Sequence, residues 1–230
     1  MTQSNKTSTP HRDRFIKVCG NCNEENLRQV SALTPMMMGF IFTDKSPRCA
    51  NDLDPEIVKS LPEYIIPVGV FLNADEETIR ATAGKFGIKH LQLHGNESPD
   101  LCKRLQDSGY KVFKTIHVGN SLPTGLIDEY NGSVDMFVFD TLTEKAGGSG
   151  LKFDWNLLEN YNADAPYLIG GGVSPDDIDN IVAAMRPHMA GIDINSRFET
   201  SPGIKDIRVL THFILSLRKF NEDEPSYITF

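Results

Sequence analysis

An acid at the end of an apolar run is the first place to look for chemistry in this chain. Asp140 follows Met136-Phe137-Val138-Phe139, and a glycine-rich stretch ending Gly147-Gly148-Ser149-Gly150 comes directly after it. A carboxyl group at a strand's C-terminal end, beneath a loop able to cover a ligand, suits proton transfer. The competing use is as the N-cap of a following helix, for which Asp is a preferred residue. Cys19 stands in a comparable place, after Phe15-Ile16-Lys17-Val18 and before Gly20. As a thiolate it could act as nucleophile or base, and a nearby cation would lower its pKa; as a thiol it would be an inert core residue. Cys19-x-x-Cys22 has no second cysteine pair to complete a zinc site, and as a lone motif it is weak support for a redox pair.

Other strand-end residues extend the set. Lys45 and Arg48 put two cations in one loop, and the arginine fork matches a carboxylate. His94 ends Leu91-Gln92-Leu93 and offers an acid/base group or a hydrogen-bond donor. His90 and His94 are four residues apart on a strand, about 13 Å at ~3.3 Å per residue, which is too far for a shared metal ion. Gly170-Gly171-Gly172 precedes a helix start at Ser174-Pro175, and bare backbone N–H groups there would suit an anion. Asn195, Ser196 and Arg197 follow the last strand-like run. Together these turns predict a phosphate site and a phosphorylated small-molecule substrate.

The elements that must hold these residues alternate. Apolar runs occur at Phe15–Val18, Met37–Phe42, Ile65–Phe71, Leu91–His94, Val112–Val118, Met136–Phe139, Tyr167–Ile169 and Ala190–Ile194. Helix-like segments lie between most of them: Asn23–Leu33, Ala74–Phe86, Ser98–Ser108, Pro175–Met185 and, after the last, Ile207–Phe220. Ser98-Pro99-Asp100 and Ser174-Pro175-Asp176 carry helix-start chemistry. Unbroken apolar runs alternating with helices predict an α/β fold with parallel strands covered on both faces. Eight units in one domain predict a closed (β/α)8 TIM barrel over residues 14–220, with polar tails at 1–13 and 221–230. An open doubly wound sheet is the alternative, but no Gly-x-Gly-x-x-Gly turn follows the first strand.

Composition narrows the partners. The 230 residues are 40% hydrophobic and 23% charged, with a formal net charge of −8. No basic stretch suggests nucleic acid, and no apolar stretch reaches the ~18 residues that span a membrane. Residues 1–14 lack the apolar run of a signal peptide, so a cytoplasmic protein with four reduced thiols is expected.

Taken together, the segments resemble the phosphoribosylanthranilate isomerase family. The residues that carry the resemblance are Lys17-Val18-Cys19-Gly20, Gly39-Phe40-Ile41-Phe42 with Lys45-Ser46-Pro47-Arg48, and Val68-Gly69-Val70-Phe71. Leu91-Gln92-Leu93-His94-Gly95, Phe139-Asp140-Thr141, Gly147–Gly150 and Phe153-Asp154-Trp155 follow. Gly170-Gly171, Gly191-Ile192-Asp193 and Ser201-Pro202-Gly203-Ile204-Lys205-Asp206 complete the order. The resemblance implies a (β/α)8 barrel and an Amadori rearrangement of N-(5′-phosphoribosyl)anthranilate in tryptophan biosynthesis. It implies Cys19 as general base, Asp140 as general acid, Arg48 on the anthranilate carboxylate and Asp193 near the substrate amino group. It puts the phosphate on Gly170, Gly171, Gly172, Asn195 and Ser196. No metal or organic cofactor is implied, because the substrate nitrogen is the electron sink; a homodimer is left open.

One segment departs from the family. Asn195-Ser196-Arg197-Phe198-Glu199 stands where Ser-Ser-Gly-Val-Glu is common, so an easy positive-φ position is replaced by Arg197. Other readings are a different sugar-phosphate barrel or a non-catalytic metabolite sensor. A synthase would want strand-end lysines paired with acids, and Lys17 and Lys114 show no such partner in the pattern. An epimerase would want several metal ligands, and His94 alone falls short. A sensor would need neither a thiolate nor a neutral carboxyl group.

Overall fold

The computed structural model describes residues 13–142 and 152–222. Eight parallel strands close in sequence order into a barrel: β1 (Asp13–Val18), β2 (Pro35–Ile41), β3 (Ile66–Phe71), β4 (His90–Leu93), β5 (Lys111–Val118), β6 (Met136–Thr141), β7 (Tyr167–Ile169) and β8 (Met189–Ile194). β8 returns to β1, with Ile16 opposite Ile192 and Lys17 opposite Asp193. This is the TIM barrel expected from the alternation, and the open sheet is excluded. The outer layer holds α1 (Glu24–Ala32), α2 (Pro55–Lys59), α3 (Glu76–Phe86), α4 (Pro99–Asp107), α5 (Thr124–Tyr130), α6 (Ile178–Ala183) and α7 (Ile207–Glu222). A short antiparallel pair, β9 (Glu199–Ser201) and β10 (Ile204–Lys205), follows β8. No described helix is long and apolar enough to cross a membrane.

Local chemistry explains most boundaries. The Ser98 hydroxyl caps α4 by accepting from the Leu101 N–H, with Pro99 as the first helical residue. α3 is capped by Asp75, which accepts from the Thr78 N–H, and ends at Gly87 in the left-handed conformation. The expected helix Pro175–Met185 is split into a 3₁₀ turn, Pro175–Asp177, and α6. A capping box opens the 3₁₀ turn, with the Ser174 N–H and hydroxyl both donating to Asp177. α2 and α5 were not visible in the apolar pattern, because both are short and bury only one or two side chains each.

The core lies in two shells. The larger packs strands against helices, with Phe40, Phe71, Phe86, Phe137, Phe139 and Phe213 all buried. The smaller fills the barrel itself with Met36, Met37, Val68, Phe113, Met136, Val138, Leu168 and Ala190. Strand side chains alternate between these shells. Along β5 the inward face therefore runs Phe113, Thr115, His117, and along β6 it runs Met136, Val138, Asp140. Both change from apolar to polar towards the C-terminal mouth. Residues 1–12 and 223–230, which make up almost all of the two expected tails, and residues 143–151, the expected covering loop, lie outside the described residues.

Candidate active site

The mouth is assembled by strand register. His117 on β5 is the direct partner of Asp140 on β6. Asp140 Oδ1 accepts from the Thr141 N–H at 2.7 Å, and Oδ2 lies 3.7 Å from His94 Nε2. The carboxyl group thus belongs to the strand end and caps no described helix; the next described turn, Trp155–Asn160, is capped by Asp154. Burial raises the Asp140 pKa above the ordinary carboxylate range, with His117 pulling the other way. Gly171 permits this geometry. Its φ is +70°, and a Cβ there would come 2.5 Å from Asp140 Oδ1.

Cys19 lies on the facing wall and is fully buried, its N–H donating to Ile194 O. A Cβ on Gly39 would sit 2.6 Å from its Sγ and 3.1 Å from Lys17 Nζ, so glycine there leaves room for both. Lys17 and Asp193 form an ion pair of 2.8 Å. Burial weighs against the Lys17 ammonium, yet Asp193 and Cys19 hold its pKa above the usual lysine value. Asp193 is pushed up by burial, and its Oδ1 is buried with no hydrogen-bond partner. The expected lowering of the Cys19 pKa is not found. Burial raises it more than Lys17 and Lys205 lower it, so the substrate-free site holds a thiol.

Behind the β8 turn lies a second charged group. Glu199 accepts from Arg48 Nε (2.9 and 3.0 Å) and Nη2 (2.7 Å), from Lys205 Nζ (2.6 Å) and from the Gly203 N–H (3.2 Å). Lys205 is wholly buried and also donates to Asn195 Oδ1 at 2.7 Å. Arg48 is therefore anchored by Glu199, with Nη1 left over for a ligand. On the opposite wall His94 is neutral. Burial, then His117, Lys17 and Lys114, push its pKa down to about 3. Gln92 Nε2 donates to Thr115 Oγ1 at 3.0 Å, and that hydroxyl contacts His94 Nδ1 at 3.1 Å. A hydroxyl donating to Nδ1 leaves the ring proton on Nε2, facing Asp140. His94 is accordingly a donor and not an acid/base group at neutral pH.

Of the three turn glycines, Gly170 spends its N–H on Phe139 O at 2.7 Å. Gly171 and Gly172 have φ of +70° and +81°, and neither N–H donates to another described residue. They face the anion role better than Gly170 does. Ser196 opens a 3₁₀ turn, Ser196–Phe198, with Asn195 before it.

A family pattern described as N-(5′-phosphoribosyl)anthranilate (PRA) isomerase matches residues 16–216. The chain belongs to this family. A PRA isomerase from Parabacteroides distasonis is 42% identical over 202 residues, covering 87% of this chain and 91% of that one. A second, from Phocaeicola vulgatus, is 38% identical over 89% of this chain and 98% of its own length. Among solved structures, the Thermotoga maritima enzyme superposes with a TM-score of 0.80 at 28% identity, covering 89% and 98% of the two chains. Another family structure holds reduced 1-(o-carboxyphenylamino)-1-deoxyribulose 5-phosphate, with a TM-score of 0.75 at 27% identity over the same shares.

Within this isomerase scaffold the sequence-derived residues Cys19, His94, Asp140 and Asp193 gather at the strand ends, with Arg48, Gly171, Gly172, Asn195 and Ser196 in the following loops. Three residues near the strand ends were missed. Lys17 and Lys114 do have acids: Lys17 pairs with Asp193, and Lys114 lies 3.5 Å from buried Glu97. Neither pairing is local in sequence. His117 was passed over as part of an apolar strand; counting by twos from Phe113 would have placed it on the inner face.

Proposed function

We infer that this isomerase converts PRA to 1-(2-carboxyphenylamino)-1-deoxyribulose 5-phosphate by an Amadori rearrangement in tryptophan biosynthesis. One observation carries the assignment of roles: a carboxyl group whose pKa burial raises stands in the same small mouth as a thiol beside a lysine ammonium. The chemistry needs one proton given and one taken. Asp140 donates to the ribose ring oxygen, the C1′–O bond breaks, and the anthranilate nitrogen supplies the electrons for a C1′=N iminium. Cys19 as thiolate removes the C2′ proton, and that electron pair forms C1′=C2′ while the iminium becomes an enamine. Tautomerisation to the C2′ ketone gives the product.

The raised Cys19 pKa is compatible with this sequence of events. The positive iminium forms next to C2′, where a thiolate is stabilised by it, and Lys17 acts in the same direction. Arg48, through Nη1, is assigned to the anthranilate carboxylate, and Asp193 Oδ1 to the substrate amino group. The phosphate is assigned to Gly171 and Gly172 with Asn195 and Ser196. Gly170 N–H, already bonded within the barrel, shapes the turn without donating to the anion.

The test is conversion of PRA by the purified chain, followed by the disappearance of its fluorescence and by identification of the deoxyribulose product. Turnover in the presence of a metal chelator supports this reading. A folded protein that leaves PRA unchanged overturns it. The Thermotoga maritima relative is described as a dimeric enzyme from which monomers were made and solved, and a homodimer is the assembly to look for by light scattering.

A further inference from the structure

We propose that His94, His117 and Asp140 form a binding site for a divalent transition-metal ion, such as Zn²⁺, at the barrel mouth. One ligand atom from each lies within 4.8 Å of the other two. His94 Nε2 and Asp140 Oδ2 are already 3.7 Å apart, close to the ~3.4 Å that two tetrahedral ligands of zinc span with bonds of about 2.1 Å. Two imidazoles and one carboxylate are a donor set that zinc, cobalt and nickel favour over calcium or magnesium.

The surroundings hold these rings as metal sites hold theirs. The His94 ring is fixed through Nδ1 by Thr115 Oγ1 at 3.1 Å, and Thr115 by Gln92. On ion binding the ring proton moves to Nδ1, where Thr115 Oγ1 accepts it once the hydroxyl rotates, and this change of tautomer from the metal-free site frees the Nε2 lone pair. His117 Nε2 points to His94 O at 3.3 Å, leaving Nδ1 for an ion. The two rings meet edge to face with centroids 5.1 Å apart. The three ligands come from the ends of β4, β5 and β6, so the site is built on rigid elements, and His117 has no part in the isomerisation derived above.

The consequence rests on the proposed function. An ion here takes the oxygen lone pair of Asp140 that must carry the proton, and it stands in the substrate's place. Bound metal therefore inhibits by competition, and the enzyme is active in its metal-free form.

The experiment uses the full chain with Cys22→Ser and Cys49→Ser, which removes the two partly exposed thiols, and titrates it with Co²⁺ alone. The expected result is one saturable equivalent with visible d–d absorption, lost on adding Zn²⁺. His117→Ala and His94→Asn should each weaken binding by about tenfold or more, with unchanged far-ultraviolet circular dichroism. No saturable signal up to about 1 mM Co²⁺ would overturn the site, as would binding untouched by either histidine variant. A thiolate charge-transfer band would place the ion on Cys19 and also overturn it. In kinetics Zn²⁺ should raise the apparent KM for PRA and leave kcat unchanged. Should the protein not turn over PRA, that arm falls, and the cobalt titration still decides the site.

Discussion

Replacing Glu199 with Gln tests whether the charged group behind the β8 turn holds Arg48, the arginine we assign to the substrate carboxylate. The change keeps the side chain's size and removes one negative charge. In the native structure that charge is only 3% exposed and lies between Arg48, 13% exposed, and Lys205, which is fully buried. Taking one member from a buried ion group leaves uncompensated charge, at a cost of about 3–5 kcal/mol. For a domain of this size that corresponds to a fall in Tm of roughly 6–20 °C. The glutamine oxygen still accepts one hydrogen bond, so the lower end is expected. The exposed pair Lys59–Glu56 gives the contrast: both members are more than 40% exposed, and Glu56→Gln should cost less than about 1 kcal/mol. The sign with pH follows from Glu199 itself. Burial opposes its charge, but Arg48 and Lys205 hold its pKa below the ordinary value. Its stabilisation is therefore present above the unfolded pKa of ~4.3 and lost as pH falls through the lower folded value. Urea denaturation at several pH values should show the wild-type advantage shrinking below about pH 4. Because Arg48 would lose its anchor, KM for PRA should rise more than kcat falls. A loss below about 1 kcal/mol at pH 7, with KM unchanged, would refute the reasoning.

Three further predictions follow from the mouth. Asp140→Asn should be more stable than wild type at pH 7–8 in urea denaturation, because burial raises the Asp140 pKa and its charged form is penalised above that value; the gap should close as pH falls towards the unfolded pKa of ~3.9. Equal stability at both ends of that range would contradict the raised pKa. Lys17→Met should push the Cys19 pKa up further, since Lys17 is the largest influence lowering it. The acid limb of kcat/KM should then move to higher pH by thiolate titration, and an unmoved limb would separate Lys17 from the base. Gly171→Ala should lower kcat by about tenfold or more with little change in KM, because its Cβ would press on Asp140 Oδ1 at 2.5 Å in a left-handed conformation. Wild-type kcat would show that Asp140 does not need that clearance.

The barrel could be read from the chain because its strands are buried on both faces. Runs such as Val68–Phe71 and Met136–Phe139 lack the alternation of half-exposed strands, and helix starts such as Ser98-Pro99 punctuate them. Cys19 and Asp140 stood out because polar groups end apolar runs only where the barrel opens. Protonation states were harder. A cation does lie beside Cys19, yet burial outweighs it, and desolvation depends on packing by residues distant in sequence, such as Gly39 and Ile194. The partners of Lys17, Lys114 and Arg48 were illegible for a related reason. Asp193 and Glu199 are more than 150 residues away from Lys17 and Arg48 in sequence, and only closure of β8 onto β1 brings them together. Asn73 shows the same on a smaller scale. It directly precedes the expected helix Ala74–Phe86, yet it takes φ of +53° and accepts from the Asn96 N–H, and the cap belongs to Asp75.

The most direct measurement is PRA turnover by wild type, Cys19→Ala and Asp140→Asn side by side, with circular dichroism to show that each is folded. The account predicts that each variant loses about 10²–10⁴ in kcat, while PRA still protects it from thermal unfolding. Turnover near the wild-type rate in either folded variant would contradict the assignment of acid and base.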